Sequence, residues 1–264
     1  MYDFTYHRPQ SVAGALEALS KSDDGQFMAG GQTMIPVMKQ HLAMPSDIVD
    51  LCAISELNGI NLKGDNLTIG ATTSHATVAS SSVIAKAIPA LSSLVGTIGD
   101  PHVRNRGTIG GSIAHNDPAA DYPAALVGLG ATVRTNQREV AADDFFVDIF
   151  ETALDEGELV TAVDFPVADA AAYEKFANPA SRFALVGVMV SRGGAGVRVA
   201  VTGAGPCVFR AEEMEQALEC SFSPDALDGV LIDPAGLNTD IHASAEYRAH
   251  LISVLAGRAL KRIA

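Results

Sequence analysis

Two short runs of small residues are the parts of this chain best equipped for chemistry. Ala29-Gly30-Gly31-Gln32-Thr33 is the first, and Thr108-Ile109-Gly110-Gly111-Ser112 is the second, which continues through Ile113-Ala114-His115-Asn116-Asp117-Pro118-Ala119-Ala120-Asp121. Adjacent glycines let a backbone turn tightly and expose N–H groups that no side chain shields, and such amides bind anions. Phe27 and Met28 close a short apolar run before the first bend, and Thr33 is placed to cap a helix after it. Two such bends can grip one diphosphate from two sides.

Other chemistries find less support. Gly203-Ala204-Gly205-Pro206 opens like a dinucleotide fingerprint but lacks the third glycine and a clean strand-to-helix setting. Gly110-Gly111-Ser112-Ile113-Ala114 nearly matches a hydrolase nucleophile elbow, with His115 and Asp121 close by. Triad partners normally come from separate segments, so a backbone cradle is favoured there. His102 and His115 with Asp100, Asp117 and Asp121 have no metal-ligand spacing, and no metal site is expected. Arg104 and Arg106 read as a solvated loop, or as charges that offset a diphosphate or meet a partner protein. No catalytic dyad emerges.

The elements that must position these runs are legible in outline. Ser11 caps a helix after the extended segment Phe4 to Pro9, and Gln26 to Ala29 is a short strand. A helix from Thr33 to about Ala43 follows, with Pro36 in its first turn and Met34, Met38 and Leu42 on one face. Asp47–Leu51 and Leu67–Ala71 are strands, and helical stretches cover Thr73–Ser80, Val83–Ala87 and Pro89–Gly96. Asp121 can cap a helix Tyr122–Leu129, with Ala131–Thr135 as a returning strand and Glu158–Phe165 as another. Val167–Ala172 marks a boundary. Beyond it Tyr173–Phe176, Ala184–Ser191 and Val197–Gly203 form an antiparallel sheet, the last two strands joined by the hairpin Gly193-Gly194-Ala195-Gly196. Helices are expected at Ala211–Leu218, Ser223–Val230 and Ser244–Arg262.

Composition removes several function classes. The 264 residues are 48% hydrophobic, enough to bury a core, and carry 18 basic against 31 acidic side chains for a net charge of −13. Neither a nucleic acid nor an anionic membrane surface is therefore an expected partner for the chain as a whole. The start Met1-Tyr2-Asp3-Phe4-Thr5 lacks a signal-peptide pattern and no apolar run is long enough for a membrane span, so a cytoplasmic location is the expectation. Cys52, Cys207 and Cys220 are too scattered to hold an iron–sulfur cluster or a zinc ion, and are expected to be buried, inert thiols.

Taken together, these runs resemble the flavin-binding medium subunit of molybdenum hydroxylases, the family of aerobic carbon monoxide dehydrogenase and of the flavin domain of xanthine dehydrogenase. Ala29–Thr33 and Thr108–Ser112 resemble its two FAD-diphosphate loops, with Pro118-Ala119-Ala120-Asp121 after the second. Tyr6–Pro9, Tyr173–Phe176, Pro179–Ala184 and Thr202–Pro206 extend the likeness over nearly the whole chain. Thr33 stands where serine is common and keeps the hydroxyl.

The resemblance implies an α+β fold. Residues 1–166 would form a two-lobed FAD-binding region of the vanillyl-alcohol-oxidase type, with lobes at about 1–55 and 56–166. Residues 173–264 would form a C-terminal domain with a three-stranded antiparallel sheet and helices. It further implies FAD held by Phe27, Met28, Ala29, Gly30, Gly31, Gln32, Thr33 and Met34, by Thr108, Ile109, Gly110, Gly111 and Ser112, and by Asn116, Asp121, Lys175 and Leu185. Diphosphate contacts would come from amides of Gly30, Gly31, Gln32, Gly110 and Gly111 and hydroxyls of Thr33, Thr108 and Ser112, helped by helix dipoles worth roughly 0.3–1 kcal/mol each. Asp121 would touch a cofactor hydroxyl, cap its helix, or both. Lys175 would either lie near the flavin or face solvent. The implied role is electron transfer from 2Fe-2S clusters of a small partner subunit to an external acceptor, with the molybdenum cofactor on a large subunit and a dimer of heterotrimers as the assembly. A self-contained FAD-dependent oxidase or reductase is the alternative, and a non-enzymatic ligand-binding module is a third reading.

Overall fold

A computed structural model describes residues 1–194 and 196–263. Strand β1 (Thr5–His7) precedes helix α1 (Val12–Ser20), whose first turn is closed by the Ser11 hydroxyl accepting the Gly14 N–H. Strand β2 (Gly25–Met28), helix α2 (Met34–Lys39) and strand β3 (Asp47–Asp50) follow. The three strands form a parallel sheet in the order β1-β3-β2. Its small core gathers Ala15, Val49, Leu51, Ile54 and Leu57, with Leu159 reaching in from far along the chain. Helix α2 is shorter than the spacing predicts. His41 takes a positive φ of 61° just past its end, so Leu42 leaves the Met38 face and is 79% exposed. Met38 alone of the three expected residues is buried, although Pro36 does fall in the first turn.

Strands β4 (Ile60–Lys63) and β5 (Asn66–Gly70) make a hairpin, and β4 is an element the sequence did not announce. Helices α3 (His75–Ser80), α4 (Ser82–Ala87) and α5 (Pro89–Gly96) follow closely, each of the first two begun by a serine cap, Ser74 and Ser81. The Arg104 and Arg106 segment is not a loop. It is helix α6 (Pro101–Arg106), capped by the Asp100 carboxylate on the Val103 N–H. Helix α7 (Ile109–His115) and helix α8 (Tyr122–Leu129) lead to strands β6 (Thr132–Thr135) and β7 (Glu139–Ala141), the short helix α9 (Ala142–Phe145) and the small hairpin β8 (Phe146–Asp148) with β9 (Glu151–Thr152). Strand β10 (Val160–Pro166) then returns to the middle of an antiparallel sheet ordered β4-β5-β10-β6-β7. Val163 stands opposite both Ile69 and Val133, and all three are fully buried.

Strand β11 (Ala170–Ala177) starts inside the stretch expected to be a boundary. It pairs with β12 (Ala184–Gly193), then come β13 (Gly196–Thr202) and a two-residue fourth strand, β14 (Phe209–Arg210), which enlarges the expected three-stranded sheet. Gly193 is opposite Gly196 at the hairpin, whose Ala195 lies outside the described residues. Helices α10 (Glu212–Cys220) and α11 (Ala245–Ile263) complete the chain. Between them the expected helix Ser223–Val230 is reduced to a single 3-10 turn, Pro224–Leu227, ended by Gly229 at φ 81°.

Why β12 reads as an unbroken apolar run is explained by its two covered faces. Val186, Val188 and Val190 pack with α10 and α11, whereas Met189 joins the cluster of the middle sheet together with Tyr173 and Ala200. Helix α8 is the wedge between, with all eight residues buried. A Cβ on Gly128 would lie 2.5 Å from the Met189 side chain, so only glycine admits so close an approach of α8 to β12.

Candidate functional site

Both glycine runs lie at one junction between the first sheet and the helices of the second. Gly30 is buried against the backbone that enters the second run: a Cβ there would lie 2.1 Å from the Arg106 carbonyl oxygen. A Cβ on Gly111 would lie 3.7 Å from that of Ala29. The bends therefore touch. The Cys52 thiol donates to the Ala29 carbonyl at 3.2 Å and fixes the near edge of the first bend.

The two runs differ in what they offer a ligand. In the first, Gly31 takes φ 69°, and the amides of Gly30, Gly31, Gln32, Thr33 and Met34 have no protein acceptor among the described residues. Consecutive unpaired N–H groups on a left-handed bend form a concave donor set for an anion. The Thr33 hydroxyl makes no capping bond, contrary to expectation, and is left exposed at the rim.

The second run is not a tight turn but the first turn of α7. Thr108 caps it, its hydroxyl accepting the Gly111 N–H at 3.2 Å and its carbonyl the Ser112 N–H at 3.0 Å. The Gly110 N–H goes to the Ala71 carbonyl at 2.8 Å, and the Ile109 N–H to that of Thr73 at 3.3 Å. The amides of Gly110 and Gly111 are thus engaged within the protein, and the expectation that they serve as ligand donors is corrected. Gly110 is small because a Cβ would meet the Cβ of Ala71 at 2.6 Å, which is a packing reason. Ile109 is fully buried core. What the run does offer is the exposed Gly111 backbone and the half-buried Ser112 hydroxyl, which has no protein partner among the described residues.

Of the two nearby arginines, one is held in place. Arg104 donates to the carbonyls of Ile98 and Gly99, whereas Arg106 is exposed and has no carboxylate partner among the described residues. His75 is buried, 5% exposed, its ring 5.3 Å from that of Tyr122 and its Nδ1 without a partner among the described residues. Burial, then the positive charge of Arg104, lowers its pKa to about 4, so it is neutral. The Tyr122 hydroxyl is another buried group with no partner among the described residues.

Asp121, Lys175 and Tyr173 form a separate buried cluster. The Lys175 ammonium lies 2.9 Å from Asp121 and donates to the carbonyls of Thr97 and Arg182, while the Tyr173 hydroxyl donates to Asp121 at 2.6 Å. The side chains of Lys175 and Asp121 are only 5% and 4% exposed. Lys175 therefore does not face solvent, and Asp121 makes no side-chain cap on α8; both readings are corrected by the burial that pairs them. Burial raises the Asp121 pKa, opposed by Lys175 and then Tyr173. Tyr173 was missed from the sequence, although its place two residues before Lys175 on one strand face was a usable signal.

Asn116 and Leu185 are placed differently again. Asn116 sits in a left-handed conformation at φ 44°, 1% exposed, its amide donating to the carbonyls of Asp148 and Glu151 at 2.8 Å each. It ties α7 to the β8–β9 hairpin. Leu185 is half-buried at the start of β12, its carbonyl accepting from Arg248. Phe27 packs on the first core, and the sulfur of Met28 lies 3.5 Å from where a Cβ on Gly31 would be.

No triad forms, since His115 lies against the Phe150 ring and Asp121 is bound to Lys175 and Tyr173. Among the described residues no group of three or more His, Cys, Asp or Glu could hold a metal, and no helix is long and apolar enough to cross a membrane. The cysteines are not buried: Cys52 and Cys220 are exposed and Cys207 is half-buried. Desolvation and the neighbouring Asp50 carboxylate nevertheless push the Cys52 thiol up to about 11.

Residues 2–168 match the family model of the FAD binding domain in molybdopterin dehydrogenase. Over 277 residues the chain is 36% identical to the carbon monoxide dehydrogenase medium chain of Afipia carboxidovorans, covering 98% of this chain and 96% of that one. It is 34% identical over 271 residues to the nicotine 6-hydroxylase medium subunit of Paenarthrobacter nicotinovorans, covering 97% and 95%. Among solved structures, reconstituted CO dehydrogenase from Oligotropha carboxidovorans superimposes with a TM-score of 0.90 at 33% identity, over 99% of this chain and 98% of that one.

Proposed function

The chain belongs to the family of FAD binding domains in molybdopterin dehydrogenase, and from that premise we propose that it is the FAD-carrying electron-transfer subunit of a molybdenum hydroxylase complex. One observation carries the reading: the two glycine runs touch, and the first presents five successive amides with no protein acceptor among the described residues. A diphosphate satisfies such a donor set, so the residues present fit the cofactor.

The amides of Gly30 to Met34, with the hydroxyls of Thr33 and Ser112, would hold the diphosphate. Thr108 acts indirectly by closing α7, Gly110 by letting α7 pack against Ala71, and Gly111 by leaving room beside Ala29 of the first run. Arg106 brings a positive charge to that junction in a chain whose net charge is −13. Phe27, Met28, Ala29, Ile109, Asn116, Asp121, Lys175 and Leu185 complete the proposed site; of these Ile109 and Asn116 act through packing and hydrogen bonds that fix α7. Bound FAD supplies the exchange between single electrons from iron–sulfur clusters and a pair delivered to an acceptor. This chain needs no general acid or base of its own for that exchange.

We assign residues 1–166 to an FAD-binding domain of the vanillyl-alcohol-oxidase type, its lobes at about 1–55 and 56–166 built on the first and second sheets, and 173–264 to a C-terminal domain. The partners are a small subunit with 2Fe-2S clusters and a large subunit with the molybdenum cofactor, in a cytoplasmic dimer of heterotrimers. The relatives' names, medium subunit and medium chain, support the existence of companion subunits. Gentle purification from the native host tests the assignment: two companions carrying iron and molybdenum are expected, with FAD on this chain. Turnover of an organic substrate by the isolated chain would instead show a self-contained oxidase or reductase.

A further inference from the structure

Arg248 is a charged side chain that the proposed site does not use, yet it is only 2% exposed. It lies in α11, and its guanidinium donates to the Leu185 carbonyl at 2.6 Å, to the Gly203 carbonyl at 2.9 Å and to the Asp240 carboxylate at 2.7 Å. Those carbonyls lie at the start of β12 and one residue past the adjoining end of β13. Gly203 takes φ 81°, and a Cβ there would lie 2.6 Å from the Ala184 carbonyl, so the two strand ends are drawn unusually close.

The same strand ends grip the segment that follows α7. The Gly203 N–H donates to the Pro118 carbonyl at 2.9 Å, and the Thr202 hydroxyl reaches the carbonyls of Pro118 and Ala120 at 3.1 and 2.6 Å. Asp121 comes next, held by Tyr173 and Lys175. On the far side, Asn238 donates to the carbonyls of Ala204 and Gly205, which fastens the Asp240 loop to the same strand end. An unbroken run of polar contacts thus leads from Asp240 through Arg248 and the strand ends to residues 118–121.

We propose that Arg248 is a positioning residue for the flavin site: from the C-terminal helix it clamps the β12 and β13 ends and, through them, sets the 118–121 segment behind the second glycine run. The inference rests on the FAD reading above. A planar guanidinium holds its two carbonyls and a carboxylate in a rigid fork, whereas a lysine at the same place ends in a single compact ammonium on a flexible stem and does not reproduce that fixed geometry. A burial role alone would not require three directed acceptors on two strands and a loop.

The test compares three variants of the full chain, each titrated with FAD and each examined for visible flavin absorption and reduction potential. In Arg248→Lys the FAD dissociation constant rises about tenfold, the effect of losing one charge-assisted bond, and the flavin bands and potential move. Asp240→Asn, on a half-exposed loop, keeps both carbonyl contacts and shows a smaller shift in the same direction. Arg262→Gln is the control. It breaks another α11 ion pair, the one with Glu174 at 2.7 Å, away from the strand ends, and leaves affinity and spectrum unchanged.

A folded Arg248→Lys with wild-type affinity and spectrum overturns the proposal. So does an Arg262→Gln shift as large as that of Arg248→Lys, which would mark general loosening of α11. Should Arg248→Lys fail to fold, Asp240→Asn decides by the same two readouts. A wild-type chain that binds no FAD removes the functional reading itself, and the clamp with it.

Discussion

Replacing Gly30 by alanine probes the contact between the two runs directly. Gly30 does not have a positive φ, so alanine meets no backbone penalty and the whole effect is steric. Its Cβ would stand 2.1 Å from the Arg106 carbonyl oxygen and 2.9 Å from the Gly107 Cα. That first contact lies about 1 Å inside van der Waals separation, and its partner is backbone, which cannot swing aside. Relief requires the first bend to back away from the second by a similar amount. Overpacking of this kind costs about 1–3 kcal/mol, a fall in melting temperature of about 2–12 °C for a chain of this size. Amides displaced by 1 Å no longer converge on one anion. Losing a single charge-assisted bond worth about 1.5–3 kcal/mol weakens FAD binding roughly 10- to 150-fold. Thermal melting of the apo chain and titration by flavin fluorescence quenching measure the two effects separately. Gly96→Ala, with nothing within 4 Å of the added carbon, is the clash-free comparison and shows only the ordinary glycine-to-alanine gain of up to about 1 kcal/mol in a helix. A Gly30→Ala protein that melts with the wild type and binds FAD within about twofold of it would refute the reasoning.

Lys175→Met leaves Asp121 buried without its cation and costs about 3–5 kcal/mol. Burial then favours the protonated carboxyl in the folded state, which binds more protons than the unfolded chain, so the deficit deepens as pH rises through and beyond the ordinary carboxylate range; urea unfolding at pH 5 and 8 should show it, and an equal deficit at both would contradict the model of a lone buried carboxylate. His75 has a folded pKa of about 4 against about 6.5 unfolded, so its unfolded form takes up the proton first and the chain loses about 3 kcal/mol between pH 6.5 and pH 4. His75→Phe should flatten that part of the pH profile, and an unchanged slope would assign it to other groups. Asn116→Ala removes both hydrogen bonds to the β8–β9 hairpin and should cost about 1–3 kcal/mol, with faster proteolytic nicking near Phe150 than in the wild type.

Much of the fold is written locally. Ser11, Ser74, Ser81 and Asp100 sit where each helix must begin, and α8 and α11 stand out through unbroken apolar content or length. The second glycine run was misread because two glycines signal a turn, whereas Thr108 and the distant carbonyls of Ala71 and Thr73 make it a helix start. Those acceptors lie more than thirty residues away and leave no trace in the local pattern. Pairing of Asp121 with Lys175 is likewise long-range, 54 residues apart, so neither residue reveals on its own that it will be buried. Cys52 looked like a core thiol by residue type, yet its place just after β3 leaves it exposed beside the first bend. Nor did Leu42 betray that His41 would turn the chain outward.

Strand β10 lies between β5 and β6, although it is translated after both. A ribosome that has released residues through 141 has therefore made two hairpins whose inner edges have no partner, with Leu67, Ile69 and Val133 on them. Until residue 166 emerges those edges are open to wrong pairing, and the platform that supports α7 does not exist. Cofactor loading can only follow release of this late strand, which makes the tract 160–166 the step at which a nascent chain either becomes competent or is lost to aggregation.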